Sequence, residues 1–386
     1  MKIYRLSSRL LSSVMIQKSR QTFTPQTLEH LPGSSVRGAL AGLYLRTGGN
    51  ADDNDFQKLF GQKGPGFPDL LPGSSPDSES GVLPLTAISC KRCPGFSADG
   101  QHGVRDSLTM LALNRFSGKG VSDYWKCSVC NNDCSPFTGF YSLKSTEQGS
   151  KDPGVHSRET TTVELQRHTG IDRTTGTIAP GIFYTSQVMR DERIPGEPQL
   201  YTGRIMLDEE QYQLFKGLLE RGPVFVGADR ARGLGEIELG LEEISPEQVD
   251  IKNWSEQWTS KYRKETGRSL PQELYFSINL WSPAVLVDRF LRPEFNFNLD
   301  FPGVTMVGKA ARKNLVRGWQ AAWGLPKTDD VALERGSVFL FSYQGNNLEE
   351  LNSYLTEVER SGVGLRTQEG MGAVRICNPL HYKEIL

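Results

Sequence analysis

At 386 residues and about 150 residues per domain, the chain is expected to form two domains, or two plus an insertion. Lys and Arg total 44 against 45 Asp and Glu, a formal charge of −1, which excludes a polycationic coat and requires any nucleic-acid contact to come from locally clustered cations. With 37% hydrophobic and 23% charged residues, the composition also excludes a chain too polar to build a core.

The longest apolar run, Leu280 to Val287, is broken by Ser282 and Pro283 and falls well short of the ~18 residues that span a bilayer, so no membrane association is expected. Lys2, Arg5 and Arg9 precede no continuous apolar core, and no secretory signal is expected. Five cysteines fall between Cys90 and Cys134 and one stands apart at Cys377. That distribution points to a local metal site in a reducing, cytoplasmic setting and away from a disulfide framework.

In chain order, Lys2 to Leu11 alternates with period two and predicts a half-buried strand with Tyr4, Leu6, Ser8 and Leu10 on one face. Pro32-Gly33 makes a turn, Ser34 or Ser35 is placed to cap a helix, and Val36, Leu40 and Leu43 give helical spacing. Phe56, Leu59 and Phe60 form a short helical turn stopped by Gly61, after which Gly, Pro, Ser and Asp predict a surface loop. Residues 61–160 are predicted as an insertion. A helix over Glu209–Arg221, strands at Pro223–Val226 and Glu236–Leu239 and a glycine-rich loop between them match the end of a ferredoxin-like βαββαβ unit. Residues 243–272, opening with Ser245-Pro246-Glu247, predict a helical connector.

A second unit follows. Leu274–Leu280 and Ala284–Asp288 are strand material, Lys309–Trp323 a helix or ordered loop, Gly336–Tyr343 a strand, Asn347–Glu359 a helix, and Ala373–Cys377 a last strand. Ala231-Arg232-Gly233-Leu234-Gly235 in one half is echoed by Glu369-Gly370-Met371-Gly372 in the other, which predicts two divergent copies of one module. Such glycines let a backbone approach either a phosphate or another strand.

Cys90-Lys91-Arg92-Cys93 and Cys127-Ser128-Val129-Cys130 form two Cys-x-x-Cys knuckles separated by residues 94–126, longer than the usual ~15–20. Four thiolates in this pattern close a tetrahedral, structural zinc site, with His102 and Cys134 as reserve ligands. No His-x-Glu pair is present to suggest a catalytic metal. So small a ribbon would draw much of its folding free energy from the ion, and chelation is expected to disorder the insertion alone. Cys377 is expected to be a buried apolar residue.

Four segments carry a family resemblance: Leu31-Pro32-Gly33-Ser34-Ser35-Val36-Arg37-Gly38-Ala39-Leu40 with Phe56-Gln57-Lys58-Leu59-Phe60-Gly61, His168-Thr169-Gly170-Ile171-Asp172-Arg173-Thr174-Thr175-Gly176 running to Phe183-Tyr184, and the two glycine loops. Gly324-Leu325-Pro326-Lys327 followed by Gly336-Ser337-Val338-Phe339 adds to them. On these residues the chain resembles the RAMP superfamily of CRISPR effector subunits, and is most similar to the 5′-tag-capping RAMP protein of type III-D systems.

The resemblance implies an α+β fold. Its parts are a first RRM-like domain over 1–242 interrupted by the 61–160 insertion with its zinc ribbon, the connector over 243–272, and a second RRM-like domain over 273–386. It further implies a noncatalytic, RNA-binding role in antiviral defence. The partners implied are CRISPR RNA, the backbone RAMP subunits and the large polymerase-like subunit, with target RNA nearby. Matching RNA-binding residues are Arg37, Arg173, Thr174, Arg230, Arg232, Gly233, Gly235, Arg366, Gly370 and Gly372, with Phe183, Tyr184 or Trp319 available for base stacking. Two alternatives stay open. One is a metal-independent, guide-processing endoribonuclease using His30 as general base; the other is a zinc-ribbon adaptor that binds only protein. The aspartate of target-cleaving relatives has no counterpart between Gln17 and His30.

Overall fold

A computed structural model of the chain describes residues 1–18, 25–118, 122–144, 155–245, 249–320 and 323–383. The polar stretch 145–154 and the Pro246-Glu247 helix start lie outside the described residues. The elements are antiparallel strands with a few helices, an α+β fold. They divide into two compact units, residues 1–80 with 159–244 and residues 81–158 with 245–386.

In the first unit the strand Lys2–Leu10 is central, with Leu200–Leu207 on one side and Glu236–Ile244 on the other, all antiparallel. Leu71–Gly73 adds beyond Leu200–Leu207, so part of the predicted surface loop is a sheet edge. Tyr4, Leu6, Ser8 and Leu10 are buried on one face, as their alternation requires. The helices Gly33–Arg46 and Glu209–Leu219 supply Val36, Leu40, Leu43, Phe215 and Leu218 to the same core. Neither Ser34 nor Ser35 caps the first helix. It begins after Pro32, and Asp69 Oδ1 accepts the Gly33 amide at 2.9 Å. At Gly33 a Cβ would lie 1.9 Å from the Phe67 carbonyl oxygen, so this helix start tolerates only glycine.

The second unit repeats the strand order. Leu274–Leu280 lies between Val338–Tyr343 and Val374–Ile376, with Val304–Ala310 outside Val338–Tyr343. Here the central strands are buried on both faces. Phe276 stacks on Phe341 at 5.4 Å on one side, where Phe301 joins Tyr343 to Tyr354 of the helix Leu348–Ser361. On the other side Tyr275 packs on Trp258 of the helix Ile251–Thr266 at 5.5 Å.

Residues 81–158 were expected to form part of the first domain, beginning at 61. Instead Ile88, Leu108, Met110, Leu113 and Tyr124 share one core with Trp258, Tyr275 and Phe339 of the second unit. The physical reason is the apolar face of the helix Leu108–Ser117, which the second unit's sheet and helix Ile251–Thr266 cover. The region predicted as helix or loop from Lys309 is a hairpin arm, in which Lys313–Val316 pairs with Asp330–Leu333.

Candidate functional site

The two glycine loops superpose hydrogen bond by hydrogen bond at one constant sequence offset. Gly227, Asp229, Gly233 and Gly235 correspond to Gly364, Arg366, Gly370 and Gly372, and all eight have positive φ. A single 3-10 turn, Arg230–Arg232 or Thr367–Glu369, fills the middle. Val226 N–H donates to the Gly235 carbonyl at 2.8 Å, and Val363 N–H to Gly372 at 2.9 Å. Ala228 N–H donates to Met15 and Leu365 N–H to Val285. Ser12 Oγ accepts the Glu236 amide at 2.9 Å, as Ser282 Oγ accepts that of Ala373 at 2.9 Å.

These bonds decide what the glycines are for. A Cβ on Gly235 would lie 2.2 Å from the Val226 oxygen, and one on Gly372 1.8 Å from the Val363 oxygen. Close approach is therefore to the fold's own carbonyls. Most loop amides, including those of Arg232, Gly233, Gly235, Glu369, Gly370 and Gly372, donate inward. Anion contact at these loops falls to side chains.

The side chains differ between the copies. Arg230 and Arg232 are exposed, Arg232 pairing with Asp229 at 3.1 Å and lying over the Tyr184 ring at 5.7 Å. Tyr184 also stacks on His168 at 4.8 Å, and His168 Nε2 meets Ser186 Oγ at 3.0 Å. Tyr184 is half-buried on the hairpin Val163–Ile171/Ile178–Met189, stacked on His168, while Phe183 beside it is 63% exposed. Arg173 and Thr174 sit at the exposed tip of that hairpin, where Asp172 Oδ1 accepts the Thr174 amide at 2.7 Å.

In the second copy Arg366 is turned into the fold, with its side chain 17% exposed. It pairs with Asp330 at 2.7 Å and with Glu369 at 2.8 Å, and Lys327 also reaches Glu369 at 2.7 Å. Burial works against charge on both Arg366 and Glu369, yet the ion pairs prevail, raising the Arg366 pKa and lowering that of Glu369. Trp319 is 51% exposed on the arm.

Arg37 donates to the Phe60 carbonyl at the end of the helix Asn54–Phe60. His30 is buried at 6% exposure, and its Nε2 lies 3.7 Å from Asp69 Oδ2.

In the cysteine-rich segment, Cys90, His102, Cys127 and Cys130 bring one ligand atom each within 4.8 Å of the others, and these residues could hold a metal ion. Cys90 and Cys130 sulfurs are 3.5 Å apart, as are Cys127 Sγ and His102 Nδ1. The predicted ligand Cys93 is not among the converging atoms; His102 takes its place. The cause is local: the Cys93 carbonyl accepts the His102 amide at 3.3 Å, which folds the loop after the knuckle back so that the imidazole enters the site. Cys134 lies outside as well, its sulfur contacted by Arg105 at 3.5 Å.

The donors suit a cation. The Asn132 amides, backbone first, pull the Cys130 thiol down to about 6, and Arg92 N–H points at Cys90 Sγ at 3.4 Å. Burial pushes the Cys90 thiol up in the absence of a bound cation.

The segment is fastened by a buried polar cluster that sequence reading missed. Asp106 Oδ2 lies 2.7 Å from His381 Nδ1, with both side chains at 0% exposure, and His381 Nε2 meets Asn279. Thr86 donates to the other Asp106 oxygen, and Lys261 Nζ reaches the His381 carbonyl at 3.1 Å. No local spacing connects Asp106 to His381, so no motif could have found the pair.

Residues 10–238, more than half of the chain, match the family described as RAMPs, the RAMP superfamily. No curated protein matches. Among solved structures, a chain of the Type III-B Cmr-beta complex bound to cognate target RNA is 12% identical at a TM-score of 0.42, covering 97% of this chain and 99% of that one. A chain of the same complex bound to cognate target RNA and AMPPnP, state 1, is 14% identical at 0.39, covering 91% and 93%. No helix among the described residues is long and apolar enough to cross a membrane.

Proposed function

The chain belongs to the RAMP superfamily, and from that premise we propose that it is a noncatalytic RNA-binding subunit of a type III, III-D-like CRISPR effector that caps the repeat-derived 5′ tag of the guide. The strand order supports tandem ferredoxin-like units: in both, the first strand lies between the third and the last, and the second is at the edge. The observation that carries the RNA reading is the asymmetry of the duplicated loops. The first presents Arg230 and Arg232 outward beside a hairpin bearing exposed Phe183, Arg173 and Thr174, whereas the second has its arginine in an internal ion network.

Cations at phosphate and an aromatic at a base are the elements by which single-stranded RNA is held. We assign those contacts to Arg230, Arg232, Arg173 and Phe183. Gly233, Gly235, Gly370 and Gly372 shape the loops, Arg366 braces the second loop through its ion pairs, and Arg37 is committed to the end of the helix Asn54–Phe60. Backbone RAMP subunits and the large polymerase-like subunit are the proposed neighbours, in the cytoplasm.

Cys90, His102, Cys127 and Cys130 would hold a structural zinc ion in a zinc-ribbon-like segment. Three sulfurs and one imidazole are a common closed zinc set, and four protein ligands leave no position for a reacting water. Reversing Arg230 and Arg232 to Glu should strip co-purifying RNA while leaving the folded protein intact. RNA retained at wild-type stoichiometry in that variant would sink the assignment.

A further inference from the structure

The segment after the central strand of the second unit closes into a small tip, Asp288 to Arg292, flanked by the bridge Val287↔Pro293. It corresponds to the segment closed by Gln17↔Thr27 in the first unit. The tip is held by one carboxylate. Asp288 Oδ1 accepts the amides of Phe290 at 2.8 Å and Arg292 at 3.0 Å, and Oδ2 accepts Arg292 Nε at 2.8 Å. Those Arg292 and backbone donors hold the Asp288 carboxyl below the usual aspartate range.

Held this way, the tip projects what a soluble surface usually avoids. Phe290 is 62% exposed and Leu291 76%, and Leu291 sits at φ 62, a left-handed conformation unfavourable for a non-glycine residue. Arg289 and Arg292 place their guanidinium carbons 4.7 and 5.1 Å from the Phe290 ring centroid. Arg289 has no carboxylate partner among the described residues, so the tip carries a net positive charge. It adjoins the second glycine loop through the Val285↔Leu365 bridge, where the loop's own arginine is already consumed by Asp330 and Glu369.

We propose that this tip is a second contact for single-stranded RNA, a nucleobase stacking on Phe290 while Arg289 neutralises an adjacent phosphate. It rests on the RNA-binding reading above and adds a site in the other unit. Charge complementarity favours RNA as occupant: an unpaired cation beside a preorganised, exposed aromatic fits a phosphodiester next to a base.

The test measures binding of a fluorescein-labelled single-stranded RNA of about 16 nucleotides, a length that one site can fill, to full-length wild type, Phe290→Ala, Phe290→Tyr and Arg289→Glu across a salt series. Phe290→Ala should weaken binding about tenfold, as expected for one lost stack, and Phe290→Tyr should restore it. Arg289→Glu should lower the slope of log affinity against log salt by about one. Wild type that binds while all three variants match it in affinity and slope overturns the tip and leaves the first-unit contacts standing. Unchanged RNA affinity with loss of a co-purifying subunit makes the tip a protein contact and also overturns it. Wild type that binds no RNA overturns this proposal together with the reading it rests on.

Discussion

Replacing His381 by Ala removes the partner of a carboxylate that has no access to water. Asp106 and His381 are both at 0% side-chain exposure, and in the variant Asp106 retains only the Thr86 hydroxyl, the Leu108 amide at 3.3 Å and the field of Lys261. Breaking a buried pair from one side costs about 3–5 kcal/mol. The remaining donors put this case at about 3, equivalent to a fall in Tm of roughly 6–12 °C for a unit of this size.

The pH dependence has a definite sign. Burial alone would raise the Asp106 pKa, but the adjoining His381 overcomes it and the net shift is downward. A depressed carboxyl stabilises the fold above its unfolded pKa near 4, and that contribution is lost as pH falls through the lower, folded value. Wild type should therefore lose stability more steeply than His381→Ala below pH ~4. Urea unfolding of wild type, His381→Ala, Asp106→Asn and the double variant gives the coupling directly. A coupling of about 2 kcal/mol is expected, whereas additivity within ~0.5 would refute the pair as the fastener of the segment.

Metal content by mass spectrometry should stay at one ion per chain in Cys93→Ser and fall in His102→Ala and Cys127→Ser, since His102 and not Cys93 joins the converging ligands. Chelation should reduce hydrogen-exchange protection in Leu274–Leu280 and Val338–Tyr343 while leaving Lys2–Leu10 unchanged, because the cysteine-rich segment shares its core with the former strands. Gly235→Ala and Gly372→Ala should each destabilise by about 2 kcal/mol or more, adding a left-handed penalty to a carbonyl clash. Gly38→Ala, in a helix with nothing within 4 Å of the added methyl, should stabilise by about 0.5–1 kcal/mol, both read by denaturant midpoint.

Local periodicity and punctuation made much of the fold legible. Tyr4 to Leu10 alternated as a strand must, Gly61 ended its helix, and the paired glycine loops foretold two loops with the same hydrogen bonds. Pairings distant in sequence were not legible. Nothing around Leu108 says which sheet its helix will cover, and nothing near Arg366 foretells Asp330. Glycine's two uses, approach to an anion and approach to a carbonyl, are identical as letters; only the 1.8 Å and 2.2 Å clearances separate them. The converging cysteine and histidine side chains were legible as a set of candidate ligands. The choice between Cys93 and His102 required the path of the loop joining them.

Residues 81–158 pack with 245–386, and this has a consequence during synthesis. At ~5–20 residues per second, the nascent cysteine-rich segment is made roughly 10–50 seconds before the last of its platform, including His381, has been translated. Until Ile251–Thr266 and Val304–Ala310 have emerged, the apolar side of Leu108–Ser117 lacks the helix and strand that cover it. A cation captured early by Cys90, His102, Cys127 and Cys130 would hold the segment's shape until its dock is made, so metal supply should govern the yield of folded protein as well as its final stability.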